Sequence, residues 1–90
     1  MEAVTVYLRK ASNAEDGYAL FLDKEGSAPP RAERGLGSSF EQAWAVELQS
    51  HEKPDLHSVD WDAVLDRVIE AYDLNDPVIT DFEWPLRQAA

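Results

Sequence analysis

The stretch SSFEQAWAVELQSH, residues 38–51, decides the fold, because it carries signals for a helix between segments that read as strands. Ser38 has Glu41 three residues on and Ser39 has Gln42, two overlapping capping boxes in which a side-chain oxygen holds an otherwise unpaired N–H of the first turn. At about 100° per residue, Phe40, Ala43, Trp44 and Leu48 fall on one apolar stripe. The spacing predicts a helix that stops before Pro54, with Lys53 pushed out of helical dihedrals by the proline after it. On the C-terminal side, Asp60 is placed as an N-cap, and Val59 and Val64 stand at the two positions of a hydrophobic staple. Trp61, Val64, Leu65, Val68 and Tyr72 then follow helical spacing, the strongest periodicity in the chain, until Asn75-Asp76-Pro77 ends it. Residues 78–84, VITDFEW, alternate between Pro77 and Pro85 and read as an edge strand.

On the N-terminal side, residues 23–37, DKEGSAPPRAERGLG, hold three glycines and the pair Pro29–Pro30, which predicts a long loop. Before it, Tyr18–Leu22 is a short apolar run of strand length, and residues 3–9 set Val4, Val6 and Leu8 against Thr5, Tyr7 and Arg9 with a period of two. The resulting expectation is an α+β domain spanning residues 1–90 in the order β-β-α-α-β. Its three-stranded antiparallel sheet carries two helices packed on one face. The other face would present Thr5, Tyr7 and Arg9.

Ninety residues leave room for one core, and 44% hydrophobic with 10% aromatic content is that of a folded chain. There is no cysteine, which excludes disulfides, thiolate nucleophiles and cysteine-held metals. The longest apolar run, Tyr18 to Leu22, is too short to span a bilayer, and MEAVTVYLRK lacks a signal-peptide core; a cytoplasmic protein without membrane contact is expected. The distinguishing property is charge. Eight Lys and Arg against eighteen Asp and Glu give a net charge of −10. Residues 1–37 contribute −1 of it and residues 38–90 contribute −9. A field of one sign on one part of a small domain repels nucleic acid and anionic membranes and attracts basic surfaces.

The acids concentrate on the second helix. With Trp61 at 0°, Asp62, Asp66, Glu70 and Asp73 fall at about 100°, 140°, 180° and 120°, one stripe beside the apolar face. Arg67, the only base on that helix, lies near 240°. The stripe runs about 16 Å from Asp62 to Asp73, a pitch of charge similar to successive phosphates on a nucleic-acid strand. Like charges four residues apart weaken a helix by a few tenths of a kcal/mol per pair. Asp81 and Glu83 would extend the same field if the last strand lies alongside. The partner-binding candidates are therefore Asp62, Asp66, Glu70, Asp73, Asp81 and Glu83. The plainer reading of the same stripe is the solvated face of an amphipathic helix in an acidic or salt-adapted protein.

Other chemistry is thinly supplied. His51, Glu52, Asp55, His57 and Asp60 offer metal ligands, yet they match no HExxH or EF-hand spacing, and Pro54 breaks any shared helical face; no metal or other cofactor is expected. Glu47 and His51, four apart, read as a cap on the first helix. Gly35-Leu36-Gly37-Ser38-Ser39 would lead into a helix N-terminus able to hold a phosphate, but the P-loop lysine is missing. Arg31 and Arg34 beside it could order this loop by pairing with the acidic half, or contact a partner. With two histidines, no cysteine and no GxSxG, no catalytic residues are assigned and an enzyme is not expected.

In size, charge and acidic helix, though in no sequence motif, the chain resembles the small acidic inhibitors encoded by phages, anti-CRISPR proteins and other DNA mimics. That resemblance implies an inhibitor that occupies a basic, nucleic-acid-binding surface of a target complex and excludes DNA or RNA. It carries over no individual residue. Two alternatives stand beside it: an immunity protein or antitoxin neutralising a basic nuclease toxin, and a small metal-binding or hydrolytic protein using His51 and His57.

Overall fold

The computed structural model describes residues 1–13, 15–35 and 39–87. Its elements are β1 (Glu2–Lys10), β2 (Tyr18–Phe21), β3 (Ala32–Arg34), β4 (Trp44–Ser50), α1 (Trp61–Asp73) and β5 (Val78–Ile79). The strands form one sheet in the order β3-β2-β1-β4-β5. This overturns the expected three-stranded antiparallel sheet with two helices: among the described residues the sheet is five-stranded and mixed, and it carries one helix.

The element that changes the architecture is β4. The expected first helix is instead a strand in the sheet interior, pairing along its whole length with β1 from Leu8↔Trp44 to Glu2↔Ser50. Trp44, Val46, Leu48 and Ser50 alternate with Ala45, Glu47 and Gln49, and the even set faces the core: Val46, Leu48 and Ser50 are buried while Ala45 is exposed. Full burial of Val46 is what a helix would have forfeited, since Val46 lies off the stripe made by Phe40, Trp44 and Leu48. Ser38 of the first capping box lies outside the described residues. Ser39 caps nothing; its carbonyl accepts the Ser12 N–H at 3.1 Å, and Phe40 bridges to Ala11 one residue out of the β1–β4 register.

β1 and β2 pair antiparallel as a hairpin, with Leu8 opposite Leu20. Residues 23–37 are not all loop, because Ala32–Arg34 add an edge strand to β2. At the other edge only Val78 and Ile79 pair with β4, and they pair parallel to it. A strand, a single crossing helix and a return strand in the same sheet give that direction. The alternation of 78–84 does not continue as a strand, because Asp81 takes φ 52° and turns the chain, after which the Phe82 N–H donates to the Gln49 carbonyl at 2.7 Å.

The core lies between one sheet face and α1. Val6, Leu8, Leu20, Val46, Leu48 and Ile79 meet Val64, Leu65, Val68 and Ala71 of the helix. The helix starts as expected: the Asp60 carboxylate accepts from the Ala63 N–H, and Val59 and Val64 are both fully buried. It ends in a Schellman motif, with Asn75 at φ 53°, Asn75 N–H donating to Tyr72 and Asp76 N–H to Ala71. Tyr72 packs edge-on between Tyr18 and Trp44. On the far face Thr5 is exposed and Tyr7 and Arg9 half-buried, while Phe21 is covered by the turn at Gly26 and by Arg9, whose guanidinium lies 5.7 Å from the ring centre. Among the described residues no helix is long and apolar enough to cross a membrane.

Candidate functional site

α1 displays its acids outward. Asp62, Asp66, Glu70 and Asp73 are all exposed, while the residues between them that face the sheet are buried. The packing of Trp61, Val64, Leu65 and Val68 fixes the rotation of the helix, and that rotation aims the four carboxylates at solvent on the flank nearest β3. Only Asp62 lies in the first turn, where the helix dipole favours a negative charge. No basic residue stands in the last turn beside Asp73 to relieve it.

One member of the row is engaged within the chain. The Arg34 guanidinium at the end of β3 donates to the Asp66 carboxylate, leaving 43% and 63% of the two side chains exposed. At that exposure the pair contributes at most about 1 kcal/mol. Its consequence is positional, since it ties the short edge strand to the helix. Arg31, three residues earlier, sits 5.8 Å from the Trp61 ring centre at the start of the same helix. Of the two roles expected for these arginines, the internal one is the one Arg34 fills.

Asp81 and Glu83 do not join the row. They line a cleft of about 420 Å³ together with Ala63 and Arg67, which stand at about 200° and 240° on the helix, beyond Glu70 on the side away from Asp62. Arg67 therefore separates the two acidic groups. Asp81 also approaches His51, whose Nε2 lies 3.5 Å from its carboxylate, with both side chains more than three-quarters exposed. That contact is an ion pair only when the imidazole is protonated.

The remaining expectations meet specific geometry. Glu47 and His51 cannot cap a helix, because Glu47 lies within β4 and His51 directly follows it, and Glu47 accepts instead from the Gln49 amide at 2.9 Å. Asp55 caps its own turn, accepting from the His57 N–H and the Ser58 hydroxyl at 3.1 Å each. Among the described residues no three histidine or carboxylate side chains converge on a point that could hold a metal. Leu36, Gly37 and Ser38 of the glycine loop lie outside the described residues, and Ser39 leads to a strand rather than a helix N-terminus. Sequence reasoning offered Arg34 to the acidic half without singling out Asp66, and it missed Ser50. Ser50 is the one buried polar residue among those described, its hydroxyl accepting from the Trp84 indole N–H at 3.0 Å and donating to the Glu52 carbonyl at 2.8 Å. Its place in an alternating run, where a small polar residue stands on the core face, was the available signal.

Comparison with protein-family models, curated proteins and solved structures finds no match.

Proposed function

We propose that the chain is a small inhibitor that docks the Asp62, Asp66, Glu70 and Asp73 face of α1 on a basic protein surface in a cytoplasmic nucleic-acid-handling complex and denies that surface to DNA or RNA. The observation that carries this reading is the row of four exposed carboxylates along about 16 Å of one packed helix, of which only Asp66 has a partner among the described residues. A helix held by its core face is a rigid mount, so the charges need not be ordered again on binding. Opposed fields speed the encounter and select basic partners, and they repel nucleic acid itself. Asp81 and Glu83, across Arg67, belong to a separate contact. This is the mode of action of anti-CRISPR proteins and DNA mimics; an immunity protein would apply the same surface to a nuclease toxin.

The test reverses Asp62, Glu70 and Asp73 to Lys and leaves Asp66 to hold Arg34. Each reversal changes the charge by two, taking the net from −10 to −4. Loss of three exposed pairs at about 0.2–1 kcal/mol each, and their replacement by repulsions of similar size, weakens binding by about tenfold or more. Proteins retained from host lysate by the immobilised chain are identified, and the purified partner is titrated with nucleic acid in its presence and absence. The reading requires that the triple variant lose the partner and that nucleic acid compete with the native chain. Retention by the variant, or a partner whose nucleic-acid affinity is unchanged, refutes it.

A further inference from the structure

At the end of the sheet where β4 finishes, a cleft of about 590 Å³ opens between residues 50–58 and 81–86. Its apolar wall is Phe82, Trp84, Pro54 and Leu86, and Leu86 is 60% exposed although it is among the larger hydrophobic side chains. Around that wall stand Glu52, Asp55, Asp81 and Glu83, opposed by Lys53 alone while His51 is neutral. An aromatic wall ringed by carboxylates suits a cation that is flat and weakly hydrated, because a guanidinium can stack on an indole while its edge N–H groups reach the acids. The chain makes this contact twice internally, with Arg9 over Phe21 and Arg31 over Trp61.

The cleft is also built in advance. The buried Ser50 hydroxyl fixes the Trp84 indole and the Glu52 backbone together. Trp84 is further set edge-on against Phe82 at 4.9 Å and Trp61 at 5.9 Å. Asp55 and Asp81 already have polar neighbours, in His57, Ser58 and His51. Among the described residues, the Glu52 and Glu83 carboxylates have no hydrogen bond or ion pair.

We propose that this cleft receives an arginine side chain of a basic protein partner, stacked on Trp84 and paired with Glu52 and Glu83. It deepens the preceding reading, and rests on it, by giving the cationic partner a second anchor at the other end of the molecule from Asp73. Such an anchor supplies the packed aromatic contact that a row of exposed charges lacks.

The probe is a blocked Gly-Arg-Gly peptide, with its neutral isostere Gly-citrulline-Gly, titrated into the isotopically labelled protein and followed by amide and indole NMR shifts. The arginine peptide should saturate shifts at residues 50–58, at residues 81–86 and at the Trp84 indole N–H, and the citrulline peptide should not. E52Q/E83Q removes two charges without removing a hydrogen bond of the fold, and each loss should weaken the arginine peptide by a factor of about two to five. D62K/E70K/D73K should leave the peptide in the cleft. Equal shifts with citrulline, shifts on α1 instead, or unchanged affinity in a folded E52Q/E83Q overturn the assignment. If the cleft fails while the helix variant still loses its protein partner, the inhibitor reading survives alone; if the cleft binds arginine while the helix variant keeps the partner, that reading falls and the pocket remains.

Discussion

Val46 is the residue at which a helical and an extended reading of 44–50 differ most, so Val46→Ala tests the architecture directly. In the sheet it faces α1 opposite Val6, with 1% of its surface exposed. Removing two buried carbon groups at about 0.8 kcal/mol each costs ~1.6 kcal/mol, and the cavity left between two rigid strands and a helix raises this to about 2–3 kcal/mol. For a chain of this length each kcal/mol lowers the melting temperature by roughly 4–8 °C, so a fall of at least ~8 °C is expected. Ala45→Ser, on the opposite and exposed face of the same strand, should stay within about 0.5 kcal/mol of the native protein. Urea unfolding followed by tryptophan fluorescence measures both, and an unchanged urea dependence would assign the loss to the folded state. A Val46→Ala cost below about 0.5 kcal/mol would mean that Val46 faces solvent, and β4 would then be wrong.

Gly35 has φ 73°, and a Cβ there would stand 2.9 Å from the Asp16 carbonyl, so Gly35→Ala should cost more than about 1 kcal/mol in thermal unfolding, with Gly26→Ala, at φ 67° but in looser surroundings, costing less. The Ser27 hydroxyl and N–H, which donate to Asp23, hold that carboxyl below its ordinary value. The turn is therefore secured above the usual carboxylate range and released as pH falls through the lowered value; the Ser27 amide shift should follow that midpoint, and Ser27→Ala should raise it. Ser50→Ala leaves the Trp84 indole N–H without its acceptor and should cost about 1–3 kcal/mol and alter tryptophan emission, whereas Ser50→Thr should retain the bond.

What could be read from the sequence follows from which residues serve one period only. Val4, Val6 and Leu8 obey a period of two, and α1 is marked by Asp60, its staple and its stripe, so both stood where expected. In residues 38–51, Trp44 and Leu48 are four apart, a spacing that satisfies a helical turn and two strand repeats equally. The Ser38 and Ser39 capping boxes tipped that balance toward a helix, and Val46, the one residue that breaks the tie, was outweighed. β3 carries no pattern of its own; Ala32 is its only buried residue, and the strand exists through hydrogen bonds to β2 and the reach of Arg34 to Asp66. The stripe Asp62, Asp66, Glu70 and Asp73 was legible because helical periodicity fixes it. The position of Asp81 and Glu83 was not, because it depends on the left-handed backbone at Asp81, for which alternation offers no signal.

The near-neutral N-terminal half does not create a basic surface to balance the acidic one. Arg9 is spent on Phe21 and the Lys24 carbonyl, Arg31 on Trp61, and Arg34 on Asp66. Each guanidinium that could have been offered to an anionic partner is thus used to fix a loop or an edge strand. Of the acids in the C-terminal half, Asp66 takes up one of these arginines, and Asp62, Glu70 and Asp73 remain exposed beside it. Arg31 and Arg34 stay exposed beside α1, so they offset part of the negative field around Asp66 and Trp61 and leave Asp62, Glu70 and Asp73 as its uncompensated part. On the proposed docking, a basic partner met by diffusion is sorted first by charge at α1, and only then by whether it can place a flat cation against Trp84. The order has a kinetic signature: raising the salt should slow association at the helix face, while E52Q/E83Q should mainly speed dissociation.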